Sequence, residues 1–531
     1  MAETSVRRDI GLFGLTMTGL GSIIGSGWLF GAWHTAQLAG PGAVYAWLIG
    51  AAVVSVVGLV YCELGAMFPE SGGMVRYGYY SHGSLVGFVA GWAGWIAIVS
   101  VIPVEAEASI QYMASWPFAW TRALYAGHEL TAPGLGLAAL LVIGYFLLNF
   151  WGVKLYARAN GAITCFKLVI PAATGIALIA AGFHPGNFHV GAQAAGSPLD
   201  LAAVLTAVAT SGIVFSFNGF QSPINMAGEA KNPSRNVPIS VLGSILMATV
   251  VYVLLQTAFI GATPPALLAH GWSGVNFSSP FAQLAIALNL GWLAFLLYAD
   301  AFVSPSGTGA TYTATTARMI YAMERSGALP GFLGGIDPRS GVPRRAMWLD
   351  LIVSFLFLFC FRGWGALAAV ISVATVLSYL TGPVSVAVLR RTAPTIRRPL
   401  RVAGLEVLSG AAFVFATLLL YWARWPLTGE VILLILLAMP VYIWAEWKAG
   451  WRDIGRQLKA AAWMMAYMPT LALVSYLGSH RFGGIGLIPY GYDLATAAAL
   501  GIGFYLWAVR SGWRTPFIDD LERDPLSEPH I

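Results

Sequence analysis

The chain has 531 residues, 58% of them hydrophobic and only 10% charged. Soluble domains carry about 25% charged residues, so this composition excludes a soluble globular protein and defines a polytopic membrane protein. The net charge of +6 is distributed among loops and implies no nucleic-acid partner. Nine polar residues precede a first apolar span that is too long for a signal h-region, so no cleavable signal peptide is expected. Apolar runs near 20 residues predict about fourteen spans: 10–38, 41–67, 84–113, 134–151, 159–182, 203–227, 237–262, 294–320, 346–362, 366–389, 405–423, 430–447, 460–479 and 490–509. The short run 281–293 reads as a loop helix leading into the eighth span. Cys62, Cys165 and Cys360 lie in or beside apolar segments and suggest neither a disulfide framework nor a metal site.

With the N-terminus cytoplasmic, 23 of the 29 Lys and Arg residues fall in inner loops or tails and only four in outer loops. That asymmetry predicts an even number of spans with both termini inside. The acidic tail after Trp513 is expected to be a disordered cytoplasmic segment.

The first span holds Gly19-Leu-Gly-Ser-Ile-Ile-Gly-Ser-Gly-Trp-Leu-Phe-Gly31, with five glycines and two serines in thirteen places. Each glycine costs a helix about 1 kcal/mol relative to alanine. Opened backbone at membrane depth is tolerated only where it is buried in protein or lines a cavity. The competing readings are close helix packing through small residues and a dinucleotide fingerprint, which lacks a preceding strand. A second interruption, Phe215-Ser-Phe-Asn-Gly-Phe-Gln-Ser-Pro223, lies in the sixth span. Five spans separate the two, so the interrupted helices run in opposite directions, which points to an inverted-repeat transporter.

These residues resemble the amino acid–polyamine–organocation permeases. The resemblance rests on Gly25-Ser26-Gly27, Glu63-Leu-Gly with Pro69-Glu-Ser-Gly-Gly73, and Phe215-Ser-Phe-Asn-Gly219. It continues through Gly228-Glu-Ala-Lys-Asn-Pro-Ser-Arg-Asn-Val-Pro238 and Arg318-Met-Ile-Tyr-Ala-Met, with Gly327-Ala-Leu-Pro330 and Gly341-Val-Pro343 after it. Tyr80-Ser-His-Gly83, His270-Gly-Trp272 and two extra C-terminal spans resemble the branch of bacterial aspartate–proton symporters. The family implies an all-α, LeuT-like core of ten spans in two inverted repeats, here 10–182 and 203–391 within 1–391. Additional transmembrane helices would fill 392–510, and 511–531 would be the tail. It also implies alternating access in a bacterial inner membrane.

An α-amino acid brings a carboxylate and an ammonium group. The carboxylate suits the free N–H groups of Ser26, Gly27 and Trp28, at the positive end of a half-helix opened at Gly25. The ammonium suits the carbonyls of Ile23, Ile24, Phe215, Ser216 and Asn218, beside Gly219. Phe215 or Phe217 would close over the ligand, with Phe215 aligning better to the family's gating aromatic.

Lys167 lies about eight residues into the fifth span, roughly 12 Å from its inner edge. A lysine at that depth is costly unless paired or neutral. By resemblance it matches the lysine that replaces a sodium ion in proton-coupled members, facing Ser304, Thr308 and carbonyls near Ser22 and Gly25. Its protonation would help set the state of helices 1 and 8; the competing reading is snorkelling to the inner surface. Glu105 and Glu107 stand about 200° apart on a helix, so at most one faces the pathway; the resemblance favours Glu105. Asp300 is a further proton-relay candidate. Gln221 stands where several members carry glutamate, so no protonation role is carried over to it.

The expected activity is proton-coupled amino acid symport, with aspartate favoured by resemblance although no arginine falls near a span's midpoint to meet its side chain. The alternatives are an amino acid exchanger, a cationic amino acid or polyamine permease and, in another class, a transporter-like sensor. No enzyme motif, metal cluster or cofactor other than the coupling proton is expected, nor an obligate protein partner.

Overall fold

A computed structural model describes residues 10–68, 73–127, 129–151, 154–190, 200–337, 342–451 and 453–523. Each predicted apolar run becomes a helix. In chain order, α1 is Leu12–Ile23 with Gly27–Ala39, α2 Ala43–Met67, α3 Ser84–Val99 with Val101–Met113, α4 Ala132–Trp151 and α5 Lys154–Ala181. Then come α6, Leu201–Thr210 with Ile213–Phe217 and Ser222–Asn225, α7 Pro233–Ala262, α8 Gly291–Arg325, α9 Arg344–Cys360 and α10, Trp364–Tyr379 with Thr381–Thr392. The last four are α11 Leu405–Trp422, α12, Leu427–Leu436 with Met439–Ala449, α13 Ile454–Leu477 and α14 Tyr492–Ser511. A hairpin of two-residue strands, Tyr125–Ala126 and Glu129–Leu130, joins α3 to α4.

By length and composition, ten helices among the described residues are apolar enough to span a bilayer, or eleven with the bent α6. The smaller number has physical causes. The second half of α1 and α2 form one apolar run through the Gly40–Gly42 turn. The middle of α8 is diluted by Ser, Thr and Gly, and α9 has only 17 residues.

Helix packing repeats with an offset of five. α1 packs on α7 as α6 packs on α2, and α5 packs on α7 as α10 packs on α2. α3 meets α10 as α8 meets α5, and α4 meets α8 as α9 meets α3. The pairs α2–α7, α3–α8 and α4–α9 are their own counterparts. An odd offset inverts direction, so this is the five-plus-five inverted-repeat core.

α11 covers α2, the first part of α6 and α10, and the remaining C-terminal helices extend along α3 and α10. They also hold the helix Gly73–His82 that connects α2 to α3. His82 Nε2 lies 3.0 Å from the Ala508 carbonyl and its Nδ1 2.8 Å from Ser81 Oγ. Ser84 bonds Tyr442 at 2.9 Å and also meets Glu446 and Gln457. Most of the tail expected to be disordered is instead docked here. Trp513 N–H donates to the Ser81 carbonyl (3.1 Å) and Thr515 to the Tyr80 carbonyl (2.9 Å). Pro516–Arg523 is helical, with Ile518 fully buried. Its apolar residues have a surface to cover, which acidic composition alone does not show. The Tyr80–Gly83 motif is thus part of a joint between core and C-terminal helices. Residues 69–72 and 341 of the quoted motifs lie outside the described residues.

The end of the bundle where Ile10 bonds to the segment after α6, and where α10 closes with Arg390 and Arg391, is here termed the basic end. There Glu63 of α2 holds Arg390 of α10 in a two-pronged pair at 2.9 and 2.7 Å and accepts the Val402 N–H at 2.9 Å. This satisfies a fully buried carboxylate, as such burial requires.

Candidate functional site

The chain opens at Ile24-Gly25-Ser26, between the halves of α1. Gly25 N–H turns back to the Ile23 carbonyl (3.1 Å), which leaves the Gly21 carbonyl without its helical donor. Lys167 Nζ takes that place at 3.3 Å and donates to Thr308 Oγ1 at 2.7 Å. On the other side of the break, Ser26 N–H donates to Glu105 Oε2 at 2.9 Å, while Ser26 Oγ accepts from Trp364 Nε1 at 2.8 Å. Glycine at position 25 leaves room for the Glu105 carboxylate against the break. A β-carbon on Gly25 would stand 2.5 Å from Glu105 Oε1 and 3.2 Å from Thr308.

α6 is interrupted twice. Gly212, with φ +87°, bends it by 48° after Thr210, a turn not foreseen because Ser211-Gly212 is short and flanked by apolar residues. The foreseen opening is at Asn218–Gln221. There Gly219 (φ +121°) donates to Gln221 Oε1 at 2.9 Å, and Gln221 Nε2 donates to Asn218 Oδ1 at 2.8 Å.

The two breaks meet at a cavity of about 200 Å³ lined by Gly25, Gly27, Glu105, Phe215, Asn218 and Thr308, with Tyr312 and Ser22 also at its wall. Towards the far end it is sealed by aromatic packing. Trp364 stacks on Phe30 (5.1 Å), meets Phe215 edge-on (5.7 Å) and lies along His34 (5.3 Å). Towards the basic end Asn218 also lines a larger cavity of about 490 Å³.

Several expectations are redrawn by this geometry. Phe215 lines the cavity, but Phe217 packs on Tyr252 (5.5 Å) and Trp47 (6.1 Å), away from it, because residues two apart on a helix face opposite sides. The carbonyls of Ile23 and Ser216 lie 3.2 and 2.9 Å from the Tyr252 hydroxyl, and that of Phe215 accepts Asn218 N–H at 2.9 Å. These three are therefore already engaged; Ile24 is buried beside them. Ser304 turns to Asp300 Oδ1 (2.6 Å) rather than to Lys167, and the lysine's carbonyl partner is Gly21, not Ser22 or Gly25. Asp300 is fully buried and off the cavity lining. Trp28 packs on Phe281 at 5.7 Å. Of the two glutamates, Glu105 faces the cavity, whereas neither carboxyl oxygen of buried Glu107 has a hydrogen-bond partner.

Two residues were missed. Tyr312 continues the four-residue ladder Asp300, Ser304, Thr308 along one face of α8, a periodicity that names it. Tyr252 bridges the carbonyl ends of both opened helices, and its only signal was one hydroxyl in an apolar stretch of α7.

Two opened helices meeting inside an inverted-repeat membrane core define a secondary transporter. The chain matches the amino acid permease family over residues 10–445 and belongs to it. It is 58% identical to the glutamate/serine transporter AimA of Bacillus subtilis (strain 168), over 97% of this chain and 96% of that one. It is 36% identical to the aspartate-proton symporter of the same organism, over 97% and 99% of the two chains. A branched-chain amino acid permease, BcaP, also from that organism, is 26% identical over 83% of this chain and 93% of its own. The protein is a membrane transporter of amino acids.

Proposed function

We propose that the protein moves an acidic or small hydroxylated amino acid, glutamate and serine first and aspartate next, into the cytoplasm together with a proton. The membrane would be the bacterial inner membrane, with the basic end cytoplasmic. The observation that carries this reading is Glu105 on the Ser26 N–H. A substrate carboxylate is drawn to the first N–H groups of that half-helix, where a carboxylate already sits. Two like charges about 4 Å apart repel by roughly 4 kcal/mol at an effective dielectric of 20. A proton on Glu105 removes that repulsion, so substrate and proton arrive together. Lys167, held by Gly21 and Thr308 across the same break, balances Glu105 when no proton is bound.

The side chain of the substrate meets Asn218 Nδ2 and the Tyr312 hydroxyl, buried groups without hydrogen-bond partners. Both are neutral donors, which serve a carboxylate or a hydroxyl alike. This supports a substrate range of the kind named for the 58% relative, and it needs no arginine. Phe215 closes the ligand from the far end.

The test is uptake of labelled glutamate and serine into proteoliposomes with and without an inward proton gradient. A 100 mV driving force supplies about 2.3 kcal/mol, or about fifty-fold accumulation. Wild type should accumulate only with the gradient. Glu105→Gln and Lys167→Ala should equilibrate substrate without responding to it. Gradient-driven accumulation in both variants, or a wild type indifferent to the gradient, overturns the coupling mechanism.

A further inference from the structure

The cavity of about 490 Å³ on the basic-end side of the central site has its own polar equipment. Asn218, Gln221 and Asn225 follow one another at steps of three and four along the end of α6, and all line it. Thr375 of α10 lines it too. Asn218 Nδ2, Asn225 Oδ1 and Thr375 Oγ1 have no hydrogen-bond partner, although Asn218 is only 4% and Thr375 2% exposed. Buried polar atoms are otherwise almost always paired. These three comprise an amide donor, an amide acceptor and a hydroxyl that does either. Ala97 and Ile98 of α3 give the cavity an apolar wall, and no charged side chain lines it.

We infer that this cavity is a second amino acid station, occupied by the zwitterionic substrate after it leaves the helix breaks. The inference rests on the transport reading above. Asn218 Nδ2 and Thr375 receive the α-carboxylate, Asn225 Oδ1 receives the ammonium group, and the side chain lies against Ala97 and Ile98. Asn218 belongs to both cavities and hands the ligand on. A lining without charges offers the ligand no ion pair such as a bidentate arginine would form, so it binds less tightly than a charged site and releases more readily.

The test places a cysteine at Gly94, whose β-carbon would meet Met319 and Ser378 at ordinary distances of 3.5 and 3.6 Å. The exposed Cys165 and Cys360 are changed to serine, and buried Cys62 is kept. The alkylation rate of Gly94→Cys by a charged thiol reagent is measured on the purified full chain with glutamate or serine. Either should slow labelling at least threefold, also when Gly25→Leu blocks the central site. Thr375→Val should abolish the protection. Protection that disappears with Gly25→Leu but survives Thr375→Val overturns the station. If Gly25→Leu does not fold, Thr375→Val alone decides. Its half-saturation for substrate offered from the basic end should rise at least threefold while that from the far end stays unchanged. An equal change from both ends, or none, refutes the station. Failure of the transport reading would show separately, as absence of glutamate and serine uptake by the wild-type chain.

Discussion

The helix breaks and the C-terminal joint are both buried polar clusters in an apolar protein, and they differ in one respect. At the joint the partners meet one another: His82 with Ser81 and Ala508, Ser84 with Tyr442, Glu446 and Gln457, Thr515 with Tyr80. At the breaks Glu105 Oε1, Asn218 Nδ2 and the Tyr312 hydroxyl, all at the cavity wall, have no hydrogen-bond partner. A buried polar group left unpaired costs about 1–3 kcal/mol. A chain that tolerates several at one place has reserved them for something that binds there. Where most groups are paired, with only Tyr79 Oη and Trp463 Nε1 left over at the joint, the cluster holds helices together. Substitutions at the breaks should therefore alter transport, and substitutions at the joint should alter stability.

The largest contrast should come from Gly25→Leu. Its side chain must displace Glu105 and Thr308, and labelled uptake should fall more than a hundredfold while the protein remains monodisperse in detergent. Uptake above a tenth of wild type would remove the Gly25 break from the substrate path.

Next come the two phenylalanines of α6. Phe215→Ala should raise the half-saturation for uptake about tenfold with a small change in melting temperature. Phe217→Ala should do the reverse, costing about 3–5 kcal/mol as a large-to-small core change with little change in half-saturation. If the two variants exchange behaviours, the assignment of faces on α6 is wrong.

The smallest effect is a pH dependence at the joint. Burial pushes the His82 imidazole down to about 4. The neutral ring fits its partners, with Nε2–H donating to Ala508 and Nδ1 accepting from Ser81. The unfolded chain takes up the proton near pH 6.5 and the folded chain refuses it. Stability is therefore complete above pH 6.5 and is lost progressively as pH falls towards 4. Between pH 7.5 and 5.5 this amounts to about 1 kcal/mol. The melting temperature of wild type should fall more steeply over that interval than that of His82→Asn. Parallel slopes would take His82 out of the pH response.

Local signals were strong where glycine and polar residues interrupt an apolar run, as at Gly19–Gly31 and Asn218–Gln221, because the cost of opening a helix in lipid is paid residue by residue. They were weak where one glycine sufficed, as at Gly212. They were silent on facing. Helical geometry dictated that Glu105 and Glu107, or Phe215 and Phe217, point in opposite directions. Which member of each pair faces the cavity depends on neighbours hundreds of residues away.

By itself, the sequence determined the apolar spans, the basic asymmetry between the two ends and the paired interruptions five spans apart, since each of these is a property of local composition and spacing. Tertiary structure alone decided that Glu105 occupies the Ser26 N–H and that Lys167 takes the orphaned Gly21 carbonyl. It also decided that the C-terminal tail folds onto Tyr80-Ser81-His82. Those are pairings between distant segments, and a hydrogen bond is specified by where two groups meet in space rather than by where either stands in the chain.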